Sequence, residues 1–138
     1  MAELSLRVIT PDKIALEETV QSLQVPGVDG SMGILPRHAA MVAALDVGEM
    51  HWIDSSGQKG DMFVSGGFAE VRDGTVRVVT EAGELPAEID EERARAAEQR
   101  ARERLQTGKL AEGGAIDLTR AQLSLRRAIS RLRVRSSR

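Results

Sequence analysis

Ten of the 13 glycines and all four prolines of this 138-residue chain lie at or before Pro86. A segment so often punctuated cannot carry long helices, whereas the stretch after it has few breakers. The three aromatics, Trp52, Phe63 and Phe68, fall on the same side of that line. Charge divides there too. Residues 1–86 carry 6 Lys+Arg against 13 Asp+Glu, a net of −7, and residues 87–138 carry 13 against 8, a net of +5. So sharp a shift predicts two structural parts, 1–86 and 87–138, with the boundary near Pro86.

The first part reads as short strands. Leu4, Leu6 and Val8 alternate with polar residues, the period of a half-buried strand. Leu23 and Val25 repeat the pattern before Pro26-Gly27. Met50 and Trp52, then Met62 and Val64, flank a hairpin turn at Ser55-Ser56-Gly57. Ala69 and Val71 precede Asp73-Gly74, with Val76 and Val78 after it, a strong hairpin signal. Turns this frequent predict an antiparallel β-sandwich or barrel, its thin aromatic content leaving Leu, Val, Ile and Met to fill the core. Trp52 is expected in the core or facing a partner, and His51 on the surface.

The second part reads as two helices. Asp90 is a good N-cap, with Glu91 and Glu92 at the positive end of the helix dipole. Residues 93–106 are nearly all strong helix formers, and Gly108 is placed to end the helix in a left-handed turn. After a short loop at 109–114, Asp117 caps a second helix running to about Val134. Its apolar positions Leu118, Ala121, Leu125, Ala128 and Leu132 follow helical spacing, as do Ala94, Ala97, Ala101 and Leu105 in the first helix. The short loop predicts an antiparallel two-helix hairpin. The fold class is therefore α+β, an N-terminal antiparallel β-sandwich followed by a C-terminal antiparallel helical hairpin. The hexapeptide Ile-Asp-x-x-Arg-Ala occurs at Ile89–Ala94 and again at Ile116–Ala121. Shared helix-start chemistry, an Asp cap and an alanine on the buried face, is a sufficient account of the second copy.

Residues 118–138 hold seven arginines and no acid. Arg120, Ser124, Arg127 and Arg131 form one stripe of a helix, and Arg93, Ala97, Arg100 and Arg104 form a stripe of the same spacing. With the turn near residue 112, an antiparallel register sets Arg93 opposite Arg131 and Arg100 near Arg127. Arginine cannot discharge by losing a proton, so such a cluster needs acids or a bound anion. Glu84 and Asp90, near its base, supply part of that compensation. Alanine contributes only about one methyl each, roughly 0.8 kcal/mol when buried. The expected hairpin is thus marginally stable and responsive to polyanions.

Several classes are excluded. At 14.9 kDa the chain is one ordinary domain or a small domain with an appendage. With no cysteine and two histidines, His38 and His51, there is no thiolate metal site and little imidazole for any other. The longest apolar run, Ala39 to Leu45, is too short to span a membrane, and no secretory signal is visible, so a soluble intracellular protein is expected. No phosphate-binding glycine loop with Lys-Ser/Thr, and no nucleophile–base pair, points to an enzyme; a nucleotide held here would be a ligand, not a substrate. A nucleic-acid binder using the arginine helix is the alternative. Against it, the basic part lacks aromatics for base stacking and the larger part is acidic.

Four segments together resemble the epsilon subunits of bacterial rotary ATP synthases, across essentially the whole chain. They are Val8-Ile9-Thr10-Pro11-Asp12; the turn at residues 30–39, ending in Arg37-His38-Ala39; Val64-Ser65-Gly66-Gly67-Phe68-Ala69-Glu70-Val71; and residues 82–94, containing Ile89-Asp90-x-x-Arg93-Ala94. Arg37 stands where that family usually has glycine. The resemblance implies a non-catalytic stalk subunit. Its β head would bind the rotor shaft (the gamma subunit) and rest on the c-ring, with His38 at the rotor interface. Its hairpin would either fold on the head or extend along the shaft to the catalytic head subunits and block ATP hydrolysis. The resemblance implies no catalytic residue, metal or cofactor. It does imply ATP as a regulatory ligand that favours the folded hairpin, held by Glu84, Ile89, Asp90, Arg93, Ala94, Arg100, Arg127 and Arg131. The implied location is peripheral, on the cytoplasmic face of the bacterial inner membrane, with no nucleic-acid partner.

Overall fold

The computed structural model describes residues 2–109 and 114–137. Seven strands come first: β1 Leu4–Ile9, β2 Ile14–Gly27, β3 Gly30–Ile34, β4 Met41–Asp54, β5 Lys59–Arg72, β6 Thr75–Val79 and β7 Gly83–Glu84. A short 3-10 turn, Pro86–Glu88, leads to α1 Glu91–Thr107 and α2 Leu118–Ser136. The hydrogen-bonded order is β1-β6-β5-β4-β2-β3, and β1 also pairs with β2, so the ladder returns to its start. The result is a β-sandwich continuous around its edge, followed by two helices. All pairings are antiparallel except β1 with β6, which runs parallel.

Period-two alternation holds in β1, where Leu4, Leu6 and Val8 are buried and Ser5 and Arg7 between them exposed, but not at Met62 and Val64. Met62, Phe63 and Val64 in β5 are all fully buried. One face of β5 meets the sandwich core, and the other lies under α2. Gly66 and Gly67 sit at φ 76° and 94° within β5, and a Cβ at Gly67 would collide with the Val79 carbonyl. Only glycine fits that crossing of strands. Asp73 and Gly74, both at positive φ, make the β5–β6 turn. Trp52 belongs to the core at 7% exposure, its indole lying where a Cβ on Gly60 would be. Arg37 takes φ 68° itself, a left-handed conformation that costs a non-glycine residue roughly 1–2 kcal/mol.

Both helix starts form as their sequences dictate. The carboxylates of Asp90 and Asp117 each accept a hydrogen bond at 3.1 Å, from the N–H of Arg93 and of Arg120. Gly108 ends α1 at φ 70°, its N–H donating to the Arg104 carbonyl. The expected turn near residue 112 lies outside the described residues; the antiparallel bridge Lys109↔Ala115 closes the helices just before it. Ala94, Ala101, Ala121 and Ala128 are buried in the hairpin. Two expectations about α2 need correcting. Leu118 is 56% exposed and takes no part in the apolar seam, while Ser130 and Val134 are buried. The helix also runs two residues past Val134, to Ser136, so Arg135 lies inside it. Among the described residues no helix is long and apolar enough to cross a membrane.

Candidate functional site

The site lies where α2 returns to the sandwich. Phe63 of β5 pairs in register with Glu84 of β7, which fixes a ring and a carboxylate side by side. Arg131 reaches both. Its Nε and Nη2 donate to Glu84 Oε1 and Oε2 at 3.1 and 2.9 Å, and its guanidinium carbon lies 4.5 Å from the Phe63 ring centre. This is a two-pronged ion pair stacked on a π face, the geometry in which arginine outperforms lysine. Beneath it, Phe63, Ile89 and Val134 form an apolar cluster separate from the main core, rimmed by Val47 and Ala82.

Further polar contacts run along the same face of α2. Arg127 Nε donates to Ser65 Oγ at 3.3 Å. Ser65 is held by its own N–H, which donates to the buried Thr80 hydroxyl. Arg126 meets Asp46 at 2.6 Å, and Arg133 approaches Glu49 at 3.9 Å. Arg126, by hydrogen bond and charge, and the Val47 N–H hold the Asp46 carboxyl below its usual value of 3.8 against the opposing effect of burial. At the end of the helix, Ser137 Oγ donates to Asp61 Oδ2 at 2.9 Å, while Asp61 Oδ1 takes His51 Nδ1 at 2.6 Å. The basic helix therefore lies on acids of the head, Asp46, Glu49 and Asp61 as well as the expected Glu84.

The eight residues expected to hold a nucleotide take different parts. Glu84 and Arg131 are joined directly, and Ile89 packs in the cluster beside them. Asp90 caps α1, and Ala94 is buried in the helix seam. Arg127 is bonded to the head through Ser65. Arg93 and Arg100 are exposed on α1 and make no ion pair among the described residues. The described hydrogen bonds thus commit Arg127 and Arg131 to the head and do not join the four guanidiniums to one another. Arg135, in the last turn of α2, adds its charge to the Arg95 hydrogen bond in lowering the Glu91 carboxyl, which fits the antiparallel register. His38 lies elsewhere, in the turn after β3, half-buried. Its Nδ1 donates to the Ala39 carbonyl at 2.8 Å, so that nitrogen carries the proton. The residues missed from sequence are Asp46, Glu49, Asp61, Phe63, Ser65 and Val134. The one signal pointing to them was the opposite charge of the two parts.

Residues 3–86 match the beta-sandwich domain of the ATP synthase delta/epsilon chain, and residues 87–135 match its long alpha-helix domain. The chain is 47% identical over 135 residues to the ATP synthase epsilon chain of Halalkalibacterium halodurans, covering 97% of this chain and 98% of that one. It is 42% identical over 134 residues to the epsilon chain of Nitratidesulfovibrio vulgaris, covering 97% and 96%. Its structure resembles a chain of the Euglena gracilis mitochondrial ATP synthase OSCP/F1/c-ring assembly, with a TM-score of 0.79 at 26% identity, over 94% of this chain and 79% of that one. A chain of the Tetrahymena thermophila ATP synthase central stalk and c-ring shares the fold, with a TM-score of 0.57 at 16% identity over 95% and 92%. The chain belongs to the ATP synthase delta/epsilon family and is a non-catalytic, epsilon-type subunit of the central stalk. This membership leaves the nucleic-acid reading without support.

Proposed function

We propose that residues 1–86 act as the rotor-binding head, joining the gamma subunit to the c-ring with His38 at that interface, and that residues 87–138 act as a regulatory hairpin. Folded on the head, the hairpin leaves ATP hydrolysis open; extended along the shaft toward the catalytic head subunits, it blocks hydrolysis. ATP at the base of the hairpin favours the folded state. The protein works as a peripheral subunit on the cytoplasmic face of the bacterial membrane. The Glu84–Arg131 contact carries this reading, because the residues that dock the helix are among those expected to take the nucleotide. A ligand changes a conformational equilibrium only through contacts that differ between the states. Arg131 uses Nε and Nη2 on Glu84 and Arg127 uses Nε on Ser65, so Arg131 Nη1, the two Nη groups of Arg127, and Arg93 and Arg100 remain for phosphate oxygens. The Euglena gracilis assembly, one chain of which this chain resembles, includes the c-ring, which supports the rotor half of the reading.

ATP titration of the chain, read by calorimetry and by amide shifts in residues 84–100 and 127–134, tests the nucleotide role. Arg127→Ala should weaken binding about tenfold or more, since each charge-assisted hydrogen bond contributes about 1.5–3 kcal/mol. Arg72→Ala, on an exposed strand end of the head, should leave it unchanged. Equal affinities for wild type and both variants, or no saturable binding, would reject ATP sensing and leave the rotor role.

A further inference from the structure

The hairpin repeats itself. Shifting α1 by 27 residues onto α2 superimposes Ile89 on Ile116, Asp90 on Asp117, Arg93 on Arg120, Ala94 on Ala121, Arg100 on Arg127, Ala101 on Ala128, Arg104 on Arg131 and Leu105 on Leu132. The structure gives that repeat physical content. The two Asp caps have the same bond length, and the four alanines that the shift relates are all buried. In an antiparallel pair, such a repeat exchanges the helices about a two-fold axis. It carries Arg93 and Arg131 at the base onto Arg120 and Arg104 at the tip.

The two ends differ in what faces the arginines. At the base, the fork of Arg131 holds the Glu84 carboxylate. At the tip, Arg104, Ile116, Asp117, Arg120, Ala121 and Ser124 line a groove of about 470 Å³, a size suited to a small molecule. Two acids of this end are described: Asp117, which lines the groove, accepts from the Arg120 N–H as the cap of α2, and Glu103 accepts from the Gln99 amide. Among the described residues no carboxylate pairs with Arg104 or Arg120. The Lys109↔Ala115 bridge adds a third basic residue to this end. We infer that the tip groove is a second anion site, in which Arg104 and Arg120 grip a phosphate chain from two helices with the Ser124 hydroxyl as a further donor. Two arginines lining one groove from different helices suit a polyoxyanion, which offers oxygens to both at once. This site stands whether or not ATP binds at the base.

Amide-detected titrations of the full chain with inorganic pyrophosphate and, separately, with ATP at low ionic strength test it. Saturable shifts are expected at residues 115–121. Arg104→Gln and Arg120→Gln should each weaken those shifts' midpoint about tenfold or more. Arg120→Lys, which keeps the charge but loses the fork, should fall between. Arg93→Gln and Arg131→Gln should leave the tip midpoint unchanged, separating this site from the base. Equal midpoints for pyrophosphate and ATP would make the phosphate chain the whole ligand, and a tighter one for ATP would add the nucleoside; either supports the site. Helix content by circular dichroism should match wild type in all variants. Absence of saturable tip shifts with both probes, or midpoints insensitive to Arg104→Gln and Arg120→Gln, would overturn it.

Discussion

The head and the hairpin are held by different physics. In the head, Leu4, Leu6, Val8, Met50, Met62 and Val64 are essentially fully buried, and each contributes roughly 1.5–3 kcal/mol of transfer energy. The hairpin seam buries alanines, and α2 meets the head through one small apolar cluster and a line of polar contacts. This contrast predicts a head that is stable by itself, a hairpin that draws part of its order from the head, and a docked helix whose release leaves the head folded.

The strongest way to break that contrast is through the head's core. Leu6→Ala should cost about 2–5 kcal/mol of head stability in urea unfolding. A chain ending at Pro86 should still unfold cooperatively, with some loss of stability because Phe63 loses its cover. Non-cooperative unfolding of the shortened chain would make the helices part of the head's own fold. A double-mutant cycle on Glu84→Gln and Arg131→Gln, read by hydrogen exchange of α2 amides, should give a smaller coupling of about 1–3 kcal/mol. A coupling near zero would place the docking energy in the Phe63–Ile89–Val134 cluster instead.

The smallest effect sharpens the picture with pH. Arg126 keeps the Asp46 carboxyl below 3.8 in the docked state, so the pair's contribution is full above that pH and is lost as pH falls through the lowered value. Both side chains are half-exposed or nearly so, which limits the pair to about 0–1 kcal/mol and makes it sensitive to salt. Asp46→Asn should remove this part of the acid-induced loosening of α2, measured by exchange at a series of pH values. The same acid response in Asp46→Asn and wild type would show that other carboxylates set it.

Local signals in the sequence carried far. Asp90, Asp117 and Gly108 mark helix ends through bonds made within a few residues, and Asp73-Gly74 marks a turn through its own backbone preference. What escaped depends on distant partners. Helical spacing put Leu118 in the seam, yet the burial of Val134 is decided by Phe63 and Val47, more than 70 residues earlier in the chain. The unbroken burial at Met62, Phe63 and Val64 likewise reflects cover from α2, which no strand period encodes. The arginine stripes were legible as stripes. That two of the arginines face Glu84 and Ser65 required the fold.

The line of polar contacts under α2 separates the depth of the docked well from the height of its walls. When Arg126 or Arg133 lets go of its carboxylate, water takes its place at once. Each step of release therefore exchanges one partner for another and leaves no stretch of bare surface. Only the patch at Phe63, Ile89 and Val134 must open dry. A joint of this composition can be strongly populated and still exchange quickly.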